Sequence, residues 1–136
     1  MTIAFHEAAR EEARAAFLFL AADDPKVADD FELRLRLAIA EIGRNPEACR
    51  LRKHGVRRKN VSRFKRHYVA YMIWQNIIVI IAVGHASRRP FYWYRRPKEF
   101  GRTMICDPVP VAQGTRQFAL PAIQFHHDRS RHSNSR

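Results

Sequence analysis

At 136 residues and 46% hydrophobic composition, the chain is long enough for one domain with its own core. Its net charge of +12 is unevenly placed: residues 1–50 hold 7 Lys/Arg against 10 Asp/Glu, residues 51–100 hold 13 against 1, and residues 101–136 hold 5 against 2. The longest apolar run, residues 77–83, falls far short of the ~20 residues of a membrane helix, and the N-terminus is charged from residue 6 onward, unlike a secretory signal. A cytoplasmic protein with no membrane association is therefore expected, and Cys49 and Cys106, which show no metal or redox spacing, read as free thiols.

In chain order, residues 2–5 alternate weakly and read as a short strand. Residues 7–22 are rich in Ala and Glu, which favour helix, and Ala9, Ala13, Ala16, Phe17 and Leu20 fall on one face. Asp24 and Pro25 suit the N-cap and first position of a second helix over 25–43. In it Ala28, Phe31, Leu35, Ala38 and Ile42 form an apolar stripe, and Asn45-Pro46 ends it. Two helices joined so closely should form an antiparallel hairpin.

Residues 55–61 read as a strand with Arg57 and Lys59 on one face and Val56, Arg58 and Asn60 on the other. Strands over 67–74 and 77–84 follow, joined at Gln75-Asn76. A two-residue turn there sets Arg66 opposite His85, Tyr68 opposite Val83 and Met72 opposite Val79. It also puts His67, Val69, Tyr71 and Ile73 on one face with Ile78, Ile80, Ala82 and Gly84. Residues 77–84 are apolar on both sides, which places them centrally in the sheet. Basic runs flank this hairpin, so a sheet whose rim or open face binds something anionic is expected. After Arg96 the pattern fades, and roughly the last fifteen residues read as disordered.

Four segments in this order resemble the RelE/ParE superfamily of type II toxin–antitoxin toxins. They are FHEAAREEARAA, EIGRNPEA, GVRRKNVSRFKRHYVAYMI and VIIAVGHASRRPFYWYRR. The resemblance covers residues 1–97 and leaves 98–136 as a largely irregular extension. It implies an α+β fold, with an antiparallel pair of N-terminal helices packed on a small, mostly antiparallel sheet of three to four strands. It also implies a growth-inhibiting toxin of a plasmid-stabilisation module and a cognate acidic antitoxin able to form a hetero-oligomer with it. Two target classes exist in the superfamily: RelE-like members cut mRNA on the ribosome, and ParE-like members are thought to poison DNA gyrase.

Metal-free RNA cleavage needs proton transfer and charge stabilisation at phosphorus. For that chemistry the resemblance nominates His85, Arg88, Tyr92, Lys59 and Arg57, with Tyr92 nine residues after Val83 as in RelE-like enzymes. The departures favour the ParE-like branch: Tyr68 and Ala86 stand where RelE-like nucleases carry arginine, and His85-Ala86-Ser87-Arg88 looks ParE-like. A non-toxic basic nucleic-acid-binding module is the reading outside the family. The expected polyanion- or partner-binding surface is Arg57, Arg58, Lys59, Arg63, Arg66, Arg88, Arg89, Arg95 and Arg96, although a solvated strand face would look the same. Phe91, Tyr92, Trp93 and Tyr94 either stack on bases or clamp the C-terminal segment onto the sheet. His6 and His54 read as surface residues and His67 as partly buried. No cofactor and no metal are expected.

Overall fold

A computed structural model describes residues 2–99 and 109–110 of the chain. Strand β1 (Thr2–Phe5) leads into α1 (Glu7–Asp23). His6 caps α1, its Nδ1 accepting the Ala8 N–H at 3.1 Å, and it is buried, against the expectation of a surface residue. Asp24 ends α1 and starts α2 (Pro25–Arg44): its N–H donates to the Leu20 carbonyl and its carboxylate accepts from the Lys26 N–H, with Pro25 in the first turn. The expected stripe of Ala28, Phe31, Leu35, Ala38 and Ile42 is buried, joined by Ile39.

The remaining elements are a 3-10 turn at Lys53–Gly55, β2 (Arg57–Val61), β3 (Phe64–Trp74), β4 (Ile77–His85), a single turn of helix α3 (Arg96–Glu99) and a two-residue β5 (Val109–Pro110). The sheet order is β2-β3-β4-β1-β5. The long β4 is central, antiparallel to β3 and parallel to β1; β5 pairs antiparallel with the outer edge of β1. The α+β architecture is the one the resemblance implies. The expected disorder of the last residues and the reading of Cys106 lie outside the described residues.

Gln75 and Asn76 both have positive φ (47° and 66°), the backbone a two-residue hairpin turn demands. From that turn the expected pairing holds through Met72↔Val79 and Tyr71↔Ile80. It then shifts by one at a bulge between Ala70 and Tyr71, so Tyr68 faces Gly84 and His67 faces His85. The expected pairs Tyr68–Val83 and Arg66–His85 are thus corrected, because one extra residue on β4 turns the rest of the strand over. Ile78, Ile80 and Val83 pack toward the helices, whereas Ile81 and Ala82 join the opposite face.

That opposite face is not open. Residues after β4 fold back across it and bury Trp93 against Val56, Tyr68, Ala70, Met72, Val79 and Ile81. The Trp93 Nε1–H donates to the Tyr68 hydroxyl at 3.1 Å, which satisfies both polar atoms inside an apolar cluster. The clamp reading of the aromatic run therefore holds for Trp93. The Tyr68 ring lies over Gly84, and a Cβ built on Gly84 would stand 2.4 Å from Tyr68 Cζ. Gly84→Ala is expected to destabilise the fold by about 1–3 kcal/mol through overpacking. A shift of the urea midpoint reads this; an unmoved midpoint would show that the Tyr68 ring yields without cost.

Candidate functional site

Alanines at 9 and 13 let α1 lie close on the sheet, and this brings Glu12 to the edge of β4. Strand β1 pairs with β4 only as far as Phe5↔Ile80, and the His6 N–H to Ile80 carbonyl bond closes that ladder. Beyond it, side chains take over the edge. Glu12 Oε1 accepts the Val83 N–H at 3.0 Å, and the Arg96 guanidinium donates to the Ile81 carbonyl at 3.0 Å. Arg96 also forks onto Glu12, at 3.1 Å to Oε1 and 3.0 Å to Oε2. Tyr92 donates its hydroxyl to Oε2 at 2.8 Å, and Arg88 donates to the same oxygen at 3.3 Å while lying 3.7 Å over the Tyr92 ring. Glu12 is 13% exposed at its side chain, so this carboxylate is a partly buried junction with two cations, a phenol and a strand edge.

The five residues nominated for RNA cleavage do not gather. Arg88 and Tyr92 meet at Glu12, as above. Arg57 and Lys59 lie on β2, two strands away from β4, and are tied to α2 and the loop that follows it. Arg57 donates to the Cys49 carbonyl at 2.6 Å, and Lys59 pairs with Glu41 at 2.7 Å, which holds the Glu41 carboxyl below the usual range. Glu41, Lys59, Cys49 and Tyr71 line a cavity of about 240 Å³ at that end of α2. The Tyr71 hydroxyl donates to the Pro46 carbonyl, and burial pushes its pKa up. His85 is half-buried at the end of β4, with Nδ1 accepting the Ser87 N–H at 3.0 Å. Burial first, then the Glu12 carboxylate, pushes the Tyr92 phenol above its ordinary range.

The nine cations expected on one binding surface divide in the same way. Arg58 lies 3.9 Å over the Tyr68 ring on the face opposite the helices, Arg95 bonds the Tyr94 hydroxyl, and Arg96 is spent on Glu12. Arg63, Arg66, Arg88 and Arg89, with Lys65, come to one end of the sheet. There the Ala86 N–H donates to the Arg66 carbonyl at 2.7 Å and locks the exit of β4 beside the start of β3. His54 stays on the surface, with its ring against Phe91 and Tyr94. Sequence reasoning missed Glu12, which reads as one solvated acid among several. The available signal was its position beside Ala9, Ala13 and Ala16, on the border of the buried stripe.

Among the described residues no cluster of ligating side chains could hold a metal, and no helix is long and apolar enough to cross a membrane. A family model described as the ParE toxin of type II toxin–antitoxin systems, parDE, matches residues 3–90, well over half of the chain. No curated protein matches it.

Glu12→Ala strands Arg96 at a strand edge; given the partial exposure of the junction, a loss of about 2–3 kcal/mol is expected, below the ~3–5 of a fully buried pair. Chemical denaturation measures it, and Tyr92→Phe, which removes one hydrogen bond to the Glu12 carboxylate, should cost about 1.5 kcal/mol. His67 lies between Phe31, Phe64 and His85, and its pKa is lowered to about 4 by burial first and His85 second. An unfolded histidine titrates near ~6.5, so the unfolded chain binds the extra proton first and stability declines as pH falls from about 6.5 toward 4. His67→Gln should flatten that decline in denaturation midpoints taken across the window. An unchanged slope would place its origin elsewhere.

Proposed function

We propose a function for this chain from the fact that it belongs to the ParE toxin family of type II toxin–antitoxin systems: it arrests bacterial growth by binding and poisoning DNA gyrase. As a type II toxin it has a cognate antitoxin. We take that partner to be acidic, because the chain as a whole carries a net charge of +12.

The observation that supports a binding poison over a ribonuclease is the engagement of Tyr92 and Arg88 by Glu12. General acid–base cleavage needs a phenol or imidazole free to exchange a proton with the ribose or the leaving oxygen, and a cation free to meet the phosphorane charge. Here the phenolic proton is directed to a carboxylate, and the same carboxylate draws on the arginine. A phosphate approaching that point finds the Arg88 and Arg96 guanidiniums already turned onto a carboxylate that it would have to displace. Arg57 and Lys59, bound to α2 and its loop, add nothing at that point.

The mRNA endonuclease reading retains one supporting feature: half-buried His85 stands at the cationic end of the sheet beside Arg66. The two readings separate on induction of the chain in a host lacking the antitoxin. For a gyrase poison, growth stops, damage signalling rises, cellular mRNA stays whole, and Tyr92→Phe still arrests growth. For a nuclease, mRNA is cut and Tyr92→Phe lowers cleavage by roughly 10²–10⁴-fold, the span of an acid–base group. Normal growth on induction would remove both and leave a non-toxic basic binding module.

A further inference from the structure

The strongest unassigned feature is the end of the sheet where the β2–β3 turn and the exit of β4 meet. Arg63, Lys65 and Arg66 come from one segment, and Arg88 and Arg89 from the other. All five are exposed, with the Arg63 side chain 65% and the Arg88 side chain 51% accessible. No acid lies in either segment; the nearest carboxylates are Asp30, 3.8 Å from Arg63, and Glu12, 3.3 Å from Arg88. Two backbone bonds fix the spacing, from the Ala86 N–H to the Arg66 carbonyl and from the Arg88 N–H to the His85 carbonyl. Lys65, Arg66 and Arg89, with Arg63 and Arg88 only partly compensated by Asp30 and Glu12, leave an excess of positive charge on two backbone segments of fixed spacing, and a polyanion relieves the repulsion among them.

We propose that this rim binds the phosphate backbone of a nucleic-acid duplex, without reading its sequence. Two absences at the rim select this partner. A stable protein interface is centred on apolar or aromatic anchors. The large exposed hydrophobics lie elsewhere among the described residues: Leu18, Phe19, Val27, Leu33 and Leu37 on the helices, Leu51 before β2, Trp74 at the opposite end of the β3–β4 hairpin, and Tyr94, whose ring lies against His54 and whose hydroxyl accepts from Arg95. Single strands are held by aromatic rings that stack on bases. Near the rim Phe64 is packed edge-on against Phe31, Trp93 is buried, and Tyr92 is bound to Glu12 and covered by Arg88. What the rim does offer is guanidinium and ammonium groups, which suit phosphate oxygens and carry no sequence preference by themselves.

The experiment titrates the full chain into fluorescein-labelled duplexes of about 20 base pairs, DNA in one arm and RNA in another, following anisotropy between about 50 and 200 mM salt. Binding should be indifferent to sequence, and log affinity should fall against log salt with a slope of about −3 to −4.5, the release expected for three to five phosphate contacts. The triple variant Arg63→Ser, Lys65→Ser, Arg66→Ser should lose about tenfold or more in affinity and flatten the slope by about 2.5. The control triple Arg50→Ser, Arg52→Ser, Lys98→Ser removes the same charge from exposed positions outside the rim and should keep the parent slope within about one. Matching thermal melts exclude misfolding as the cause. Comparable tightness in both duplex arms assigns phosphate geometry alone; preference for one duplex assigns the source. Equal losses in the two triple variants would overturn the proposal, because the binding would then follow net charge. Single-stranded DNA bound as tightly as duplex would overturn it, and so would poly-glutamate displacing duplex at equal charge, the mark of an acidic protein partner. Growth arrest plays no part in this test, so the rim and the gyrase reading stand or fall separately.

Discussion

The carboxylate of Glu12 is the polar point through which the segment after β4 is attached to α1 and to the edge of the sheet. It takes the place of a neighbouring strand on β4 after β1 has ended, and it holds Arg96, Tyr92 and Arg88 against α1. Without that attachment the segment after β4 keeps the packing of Trp93 and its bond to Tyr68, the Ala86 N–H to Arg66 carbonyl bond, and the Arg96 bond to the Ile81 carbonyl. A carboxylate suits this task because it accepts several hydrogen bonds at once, and partial burial strengthens each of them.

The bulge in β4 is the second constraint. Ile80 and Ile81 point to opposite faces by ordinary alternation, and the extra residue puts Ala82 on the same face as Ile81; both faces of the strand are apolar and both are buried. The opposite face therefore needs a cover, and the aromatic run supplies it through Trp93. Gly84 follows from the same shift: the bulge moves it across from Tyr68, where a side chain would collide with the ring. The register beyond the bulge and the place of Gly84 are consequences of one insertion.

Charge is sorted by these constraints into two populations. Arg57, Lys59 and Arg96 are structural, tying β2 to α2 and the C-terminal segment to α1. Arg63, Lys65, Arg66 and Arg89 remain exposed at one end of the sheet, with Arg88 shared between the two groups. The helical side shows the complementary character, with exposed Phe19, Leu33 and Leu37 on a hairpin otherwise rich in acids. The helical side and the end of the sheet thus present two chemically distinct surfaces.

Local residue patterns settled the elements and most of their faces. Helix caps at Asp24 and Asn45, the alanine and leucine stripes, the Gln75-Asn76 turn and the central place of β4 are written in local spacing and in the conformational preferences of single residues. The family could be read as well, because it rests on the order of those elements. What only the tertiary structure decided was long-range: that Glu12 would meet Arg96 and Tyr92, that β1 would stop short and leave an edge to be filled, and that the bulge would fall opposite Tyr71. Spacing in sequence reports which residues share a face of one element. It carries no information on which of thirteen cations between residues 51 and 100 will find one of the few acids, because that choice is made by packing.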